Sequence, residues 1–310
     1  MNELRPMSVG EILDRAIQMM KANLGLFVGI AVLPDLANLG YSLALQYEQR
    51  GAGSFSGKGV ALLPIIVLWV AYMVLIAMAA AAKCWAASQL LLGRPATVRS
   101  AYGAFKKRKG RLVGLGLLQG ILSFWPMIPA SIVLGIGLEL MKPLMGQSSG
   151  GVMFVGMVLL LLLACAPLYA RYLLAFPATA VLDLDANASL RRSVELGRGF
   201  RWKVFWAFAL PVGIGIIVAG GSGALISLLQ SWHVLWTPVS AQARFFWSAI
   251  GMLGTFAINL VCGPLGSIAL TLTYYDLCVR KEGLDIVHLM EHAGLGVPAE
   301  LSVPADGEPA

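Results

Sequence analysis

Hydrophobic positions fall into six long runs, at 24–45, 60–82, 112–138, 152–176, 204–230 and 246–273, separated by short polar stretches. A helix needs about 20 residues to cross a hydrocarbon core, and each run is at least that long. Stretches such as Val158 to Ala166 are apolar at every position, whereas a membrane strand alternates apolar and polar residues over about ten positions. The pattern therefore predicts spanning helices, in which each backbone amide finds its partner within the segment. The expected fold is an all-α integral membrane protein of six transmembrane helices arranged as three hairpins.

Each hairpin is preceded by a stretch that reads as an amphipathic helix. In the first, Ser8 and Glu11 have capping-box spacing, and Val9, Ile12, Ala16, Met20 and Leu24 share one face opposite Asp14, Arg15, Gln18 and Lys21. The second starts at Thr97 with Val98, Ala101, Tyr102 and Phe105 on its apolar face, and closes on Lys106, Lys107, Arg108 and Lys109. The third starts near Ala188, with Leu190, Val194 and Gly197 on one face and Arg191, Arg192, Glu195, Arg198 and Arg201 around it. These starts recur at nearly constant intervals and predict parallel repeats over 8–96, 97–187 and 188–278. One further interval begins a fourth amphipathic helix at 279–292. Residues 1–292 then form one membrane domain, and 293–310 form an acidic tail rich in glycine and proline, read as disordered.

Charge supplies an orientation. Nineteen of the 23 lysines and arginines lie on the side of the amphipathic stretches, and only Arg50, Lys58, Lys142 and Arg244 lie on the other. The positive-inside rule puts both termini in the cytoplasm. The net charge of +7 belongs to that face, where Lys106, Lys107, Arg108, Lys109, Arg191 and Arg192 are candidates for contact with anionic head groups of a phospholipid bilayer, rather than with nucleic acid. A chain that is 58% hydrophobic and 13% charged would be poorly solvated as a soluble domain.

Few residues suggest chemistry. His288, Glu291 and His292 have H-x-x-E-H spacing, but the third ligand of a zinc site would have to come from the tail. The glycines at 51 and 53 do not form a phosphate loop, for want of a preceding strand and a Gly-Lys-Ser/Thr ending. The sequon at Asn187 falls on the cytoplasmic side. Cys84, Cys165, Cys262 and Cys278 have no metal-binding spacing. No metal or cofactor is expected. Gly25 with Gly29, Gly110 with Gly114, and Gly116 with Gly120 have the spacing of close helix packing. Asp35 is the sharpest feature, since a charge midway along a spanning helix costs about 2.5–3.5 kcal/mol. Asn38, Tyr41 and Asn259 are its candidate partners, and Asp35 with Asn259 marks a candidate intramembrane polar site. Lys83 and Arg171, nearer helix ends, read as snorkelling cations.

Motifs at the two ends carry a resemblance. Leu4-Arg-Pro-Met-Ser-Val-Gly-Glu-Ile-Leu-Asp-Arg15 and Tyr274-Tyr-Asp276-Leu-Cys-Val-Arg280-Lys-Glu282-Gly-Leu-Asp285 resemble bacterial membrane proteins related to the membrane domain of glycerophosphoryl diester phosphodiesterases. The Leu190–Phe205 stretch resembles that family's third cytoplasmic helix, and Cys278 stands where the family commonly has a basic residue. The resemblance implies a six-helix protein of the bacterial inner membrane without the catalytic barrel. The expected function is non-enzymatic: envelope organisation, lipid handling or recruitment of a membrane or cytoplasmic protein partner. The alternative is a small transporter or channel that uses Asp35.

Overall fold

The computed structural model describes residues 6–51, 62–106, 109–124, 169–182, 184–236 and 241–283, together with 132, 135 and 166. The described residues are helical, with turns between helices and no strand among them. The helices are α1 (Val9–Ala22), α2 (Leu24–Gly51), α3 (Leu62–Leu91), α4 (Val98–Gly103), α5 (Lys109–Phe124), α6 (Ala175–Leu182), α7 (Ala186–Gly197), α8 (Arg201–Trp236) and α9 (Ala241–Glu282). Within α2, α3, α8 and α9 lie four segments long and apolar enough to cross a membrane: Leu24–Leu45, Ile66–Leu91, Arg201–Val218 and Ala249–Glu282. The surfaces of these helices carry large apolar side chains such as Val67, Ile216 and Leu253, and Ile217 is 73% exposed. So much apolar surface facing outward from long helices is the pattern of a membrane protein, whose solvent is lipid. The third and fourth apolar runs fall mostly outside the described residues.

Local chemistry explains where the short helices begin. Ser8 caps α1 by accepting from the Glu11 amide at 3.3 Å, while the Glu11 carboxylate accepts from the Ser8 amide at 2.7 Å. Thr97 caps α4 in the same reciprocal way with Ser100. Helix α7 begins two residues earlier than expected, after Asp185 rather than near Ala188. The Asp185 side chain makes no capping bond. It pairs instead with Arg111 of α5 at 2.7 Å.

Ile12, Ala16 and Met20 of α1 are buried against the protein, not left open for lipid, and Leu24 is exposed. They join a core with Phe27 and Ile30 of α2, Ala79, Ala82 and Ala86 of α3, Leu196 of α7, and Ile268, Leu272 and Tyr274 of α9. Helix α9 is the axis of this core and touches α1, α2, α3, α6, α7 and α8. Alanines in α3 let neighbouring backbones approach, the usual way helices pack where the surrounding lipid removes the hydrophobic drive.

Several boundaries differ from the sequence pattern. Val279 starts no new helix, since residues 279–282 are the last turn of α9. The turn ends at Gly283, whose φ of +62° is the left-handed conformation that favours glycine. Residues 284–292, where the amphipathic helix was expected to continue, lie outside the described residues, as does the tail. The run 152–176 was expected to be one helix, but its end is broken by a turn at residues 171–174. Ser193 of α7 compensates this break, accepting from the Leu174 amide at 3.2 Å and donating to the Arg171 carbonyl at 2.7 Å. The buried Thr179 hydroxyl meets the Ser189 hydroxyl at 2.7 Å, so α6 and α7 are joined through polar groups.

Of the glycines expected to pack closely, Gly29 and Gly116 do. A Cβ on Gly29 would lie 2.8 Å from Val98 Cγ2 of α4, and one on Gly116 would lie 3.2 Å from Ala77 Cβ of α3. A Cβ on Gly25, Gly110 or Gly114 would meet nothing within 4 Å among the described residues. Gly215 and Gly266, not singled out from the sequence, bring α8 and α9 together against Cys262 and Phe208.

Candidate functional site

Asp35 lies eleven residues along α2, or about 17 Å at the helical rise per residue. Asn38 and Ser42 follow one and two turns later on the same side of the helix. Helix α9 packs against α2 and presents Thr255 and Asn259, also one turn apart. Together these five residues, with Leu39, Met252 and Phe256, line a cavity of about 90 Å³. The structure thus brings Asp35 and Asn259 to one site, with Asn38 beside them, while Tyr41 is not among the lining residues. The Thr255 hydroxyl donates to the Gly251 carbonyl at 2.9 Å, which leaves its oxygen lone pairs as acceptors. Carboxylate, amide and hydroxyl groups converge here between long apolar helices.

Lys83 of α3, read as a snorkelling cation, is partly buried and lies eight residues before the end of that helix, which packs against α2.

A second polar constellation went unseen in the sequence. Asp276 of α9, whose side chain is fully buried, accepts from the Met7 amide at 2.6 Å, from Lys203 Nζ at 2.5 Å and from Arg280 Nε at 3.1 and 3.2 Å. Lys203 Nζ and Arg280 Nη2 also donate to the Met7 carbonyl, at 2.6 and 3.1 Å. Met7 sits just before the first helix, where its backbone groups have no helical partner, and this cluster supplies one for each. The Arg280 guanidinium also lies 5.9 Å from the centre of the Phe200 ring. The two end motifs that carry the family resemblance are therefore in direct contact. The only sequence signal for this clasp was the presence of Asp276 and Arg280 one turn apart at the end of an apolar run.

Arg192 departs from the surface role expected of it. Its Nη2 lies 2.5 and 2.6 Å from the two carboxylate oxygens of Glu282, with both side chains 23% exposed. Burial works to lower its pKa, but Glu282 and Tyr274 outweigh that and hold it above the usual arginine value. Its charge is thus committed within the fold. Lys281 Nζ donates to the Glu195 and Arg198 carbonyls at 2.9 and 2.8 Å, closing the end of α7. Arg191 and Lys106 are exposed. Lys107 and Arg108 lie outside the described residues; Lys109 is the first residue of α5, and its side chain is likewise outside them.

The structure defines the class as an all-helical membrane protein with a polar cavity between two long apolar helices. Comparison with protein-family models, curated proteins and solved structures yields no match.

Proposed function

We propose that this chain is a non-enzymatic multi-pass protein of the bacterial cytoplasmic membrane, with both termini in the cytoplasm, acting in envelope organisation, lipid handling or partner recruitment. The observation that carries the reading is the clasp. Asp276, Arg280 and Glu282 of the C-terminal motif, with Lys203 and Arg192, bond to one another or to the Met7 backbone of the N-terminal motif, which fits an architectural role for them. The resemblance to the membrane domain of glycerophosphoryl diester phosphodiesterases points the same way. Six spanning helices in three repeated hairpins, each entered from a helix at the cytoplasmic interface, complete the proposed topology. The exposed Lys106 and Arg191, with Lys107, Arg108 and Lys109, supply charge suited to anionic lipid.

The test is a lipid inventory of the protein extracted with its surrounding membrane. Enrichment of anionic lipid over the bulk membrane is expected, and neutralising Lys106, Lys107, Arg108 and Lys109 reduces it. A lipid profile equal to the bulk membrane in both proteins overturns lipid handling through this ridge. Sustained hydrolysis of glycerophosphodiesters by the purified chain overturns the non-enzymatic reading.

A second reading, a small transporter or channel, is favoured by the cavity at Asp35 and Asn259. Intramembrane carboxylates commonly mark ion or substrate paths. Loss of solute flux in a well-folded Asp35→Asn protein is its expected signature, and unchanged flux in that variant removes it.

A further inference from the structure

A groove of about 500 Å³ runs along α1, apart from the cavity at Asp35. Glu11, Asp14, Gln18 and Ala22 recur every three or four residues and so share one face of the helix, with Arg15 beside them and Leu90 of α3 along the same groove. Those four residues are exposed, and the groove is therefore open to its surroundings.

Its position is at the ends of two apolar segments. Asn23, which lines it, immediately precedes the segment Leu24–Leu45, and Leu90 is the last residue but one of the segment Ile66–Leu91. At such ends a spanning helix passes from hydrocarbon to the head-group layer. The groove is also graded along α1. Ala22 and Met19 lie at the end nearer Leu24, which is itself exposed, then comes Gln18, and then Arg15, Asp14 and Glu11. An amphiphile presents its groups in the same order, from apolar through neutral polar to charged.

The charged part discriminates between head groups. Arg15 Nη1 donates to Met7 Sδ at 3.6 Å, which orients the guanidinium at the far end of the groove. Its planar fork matches two oxygens of a phosphodiester. Asp14 precedes it by one residue, and Glu11, whose carboxylate caps α1, precedes it by one turn. A primary ammonium brings three N–H donors to carboxylates so placed. A head group that is only anionic would meet two like charges. A trimethylated ammonium has no N–H to donate and is bound best by aromatic faces, and none of the lining residues is aromatic among the described residues.

Resting on the lipid-handling reading, we propose that this groove holds the head group of a zwitterionic aminophospholipid, with Arg15 on the phosphodiester and Asp14 and Glu11 on the primary ammonium. The Gln18 amide donates to an ester carbonyl nearer the apolar end, and the acyl chains pass over Leu24 and Leu90. This groove and the ridge at Lys106 to Lys109 then take different lipids. The ridge responds to net negative charge, and the groove to two opposite charges at a fixed separation.

The experiment uses the full chain purified in detergent and mixed with equal amounts of phosphatidylethanolamine, phosphatidylcholine and phosphatidylglycerol of the same acyl chains, with the retained lipids counted by native mass spectrometry. Phosphatidylethanolamine is expected to be retained over phosphatidylcholine. Asp14→Asn, at an exposed position outside the core, reduces that preference by about tenfold, the effect of losing one charge-assisted hydrogen bond. Arg15→Lys keeps the charge but loses the fork, and weakens retention of phosphatidylethanolamine. Neutralising Lys106, Lys107, Arg108 and Lys109 lowers phosphatidylglycerol and leaves the preference for phosphatidylethanolamine intact. Equal retention of the ethanolamine and choline lipids by the parent, or a preference unchanged in both Asp14→Asn and Arg15→Lys, overturns the site. Displacement of the lipid by an equal concentration of free glycerophosphoethanolamine overturns the membrane lipid as the source of the head group. Absence of the preference with phosphatidylglycerol still enriched removes the groove and leaves lipid handling standing, whereas enrichment of no phospholipid removes both.

Discussion

Met7 and Asp276 stand 269 positions apart, yet the amide of one donates to the carboxylate of the other at 2.6 Å. Lys203 and Arg280 reach the same carboxylate and also the Met7 carbonyl. A residue with both its backbone polar groups bonded to a buried ion cluster is a fixed point of the fold. Several testable consequences begin here.

Asp276→Ala leaves Lys203 and Arg280 beside a buried space without a counter-charge. Removing one partner of a buried ion cluster costs about 3–5 kcal/mol. The variant is expected to lose stability in that range when unfolded in detergent. Lys203→Met should lose less, because Arg280 still balances Asp276. Equal losses in the two variants would show that packing, not charge, is what the clasp supplies.

Tyr102 of α4 donates to the Ile30 carbonyl of α2 at 2.7 Å. Burial first, and then the charge of Asp35, push its pKa up to about 12. The folded state thus holds the phenol proton more tightly than the unfolded state does. Its contribution to stability is complete below pH 10 and declines as the pH rises towards 12. Tyr102→Phe should cost about 1 kcal/mol near neutral pH. Its unfolding curve should also lose part of the alkaline decline seen in the parent, a difference that unfolding at pH 8 and pH 11 measures.

Gly29 and Val98 form a steric lock between α2 and α4. A methyl group on Gly29 would sit 2.8 Å from Val98 Cγ2, and the β-branched valine has little rotamer freedom to yield. Gly29→Ala is expected to destabilise the protein by about 1–3 kcal/mol, the cost of overpacking. Adding Val98→Ala removes the obstruction and should return part of that loss. Thermal unfolding of the two single variants and the double variant reads the coupling directly.

The proposed topology makes its own prediction. Reporter domains fused after Gly51, Gly146 and Pro238 are expected outside the cell membrane, and those after Arg94, Asp185 and Gly294 in the cytoplasm. A cytoplasmic signal at any of the first three positions would require a different number of crossings or the opposite orientation.

What was legible in the sequence was local. Ser8 with Glu11 and Thr97 with Ser100 lie within one turn of their partners, so capping chemistry alone locates the starts of α1 and α4. The start of α7 was read less well because Asp185 gives its carboxylate to Arg111 of another helix. Asp35 stood out because polarity inside an apolar run is costly, and Asn259 stood out for the same reason. Their common cavity follows from packing of α2 on α9, which spacing cannot reveal. Arg192 was read as a cation for the membrane surface, but it pairs with Glu282 on a different helix. Long-range pairing of this kind leaves no periodic trace.

The clasp also sets a schedule for biogenesis. Met7 is made well before Lys203 and Asp276, which hold it. At about 5–20 residues per second, the interval between Met7 and Asp276 is on the order of tens of seconds. Through that time Ile12, Ala16 and Met20 of α1 lack the α9 surface they finally cover. The nascent helix therefore waits with an uncovered apolar face, and docking of α1 is the step that seals the molecule. An insertion factor that shelters this face would be needed from the emergence of α1 until α9 is in place.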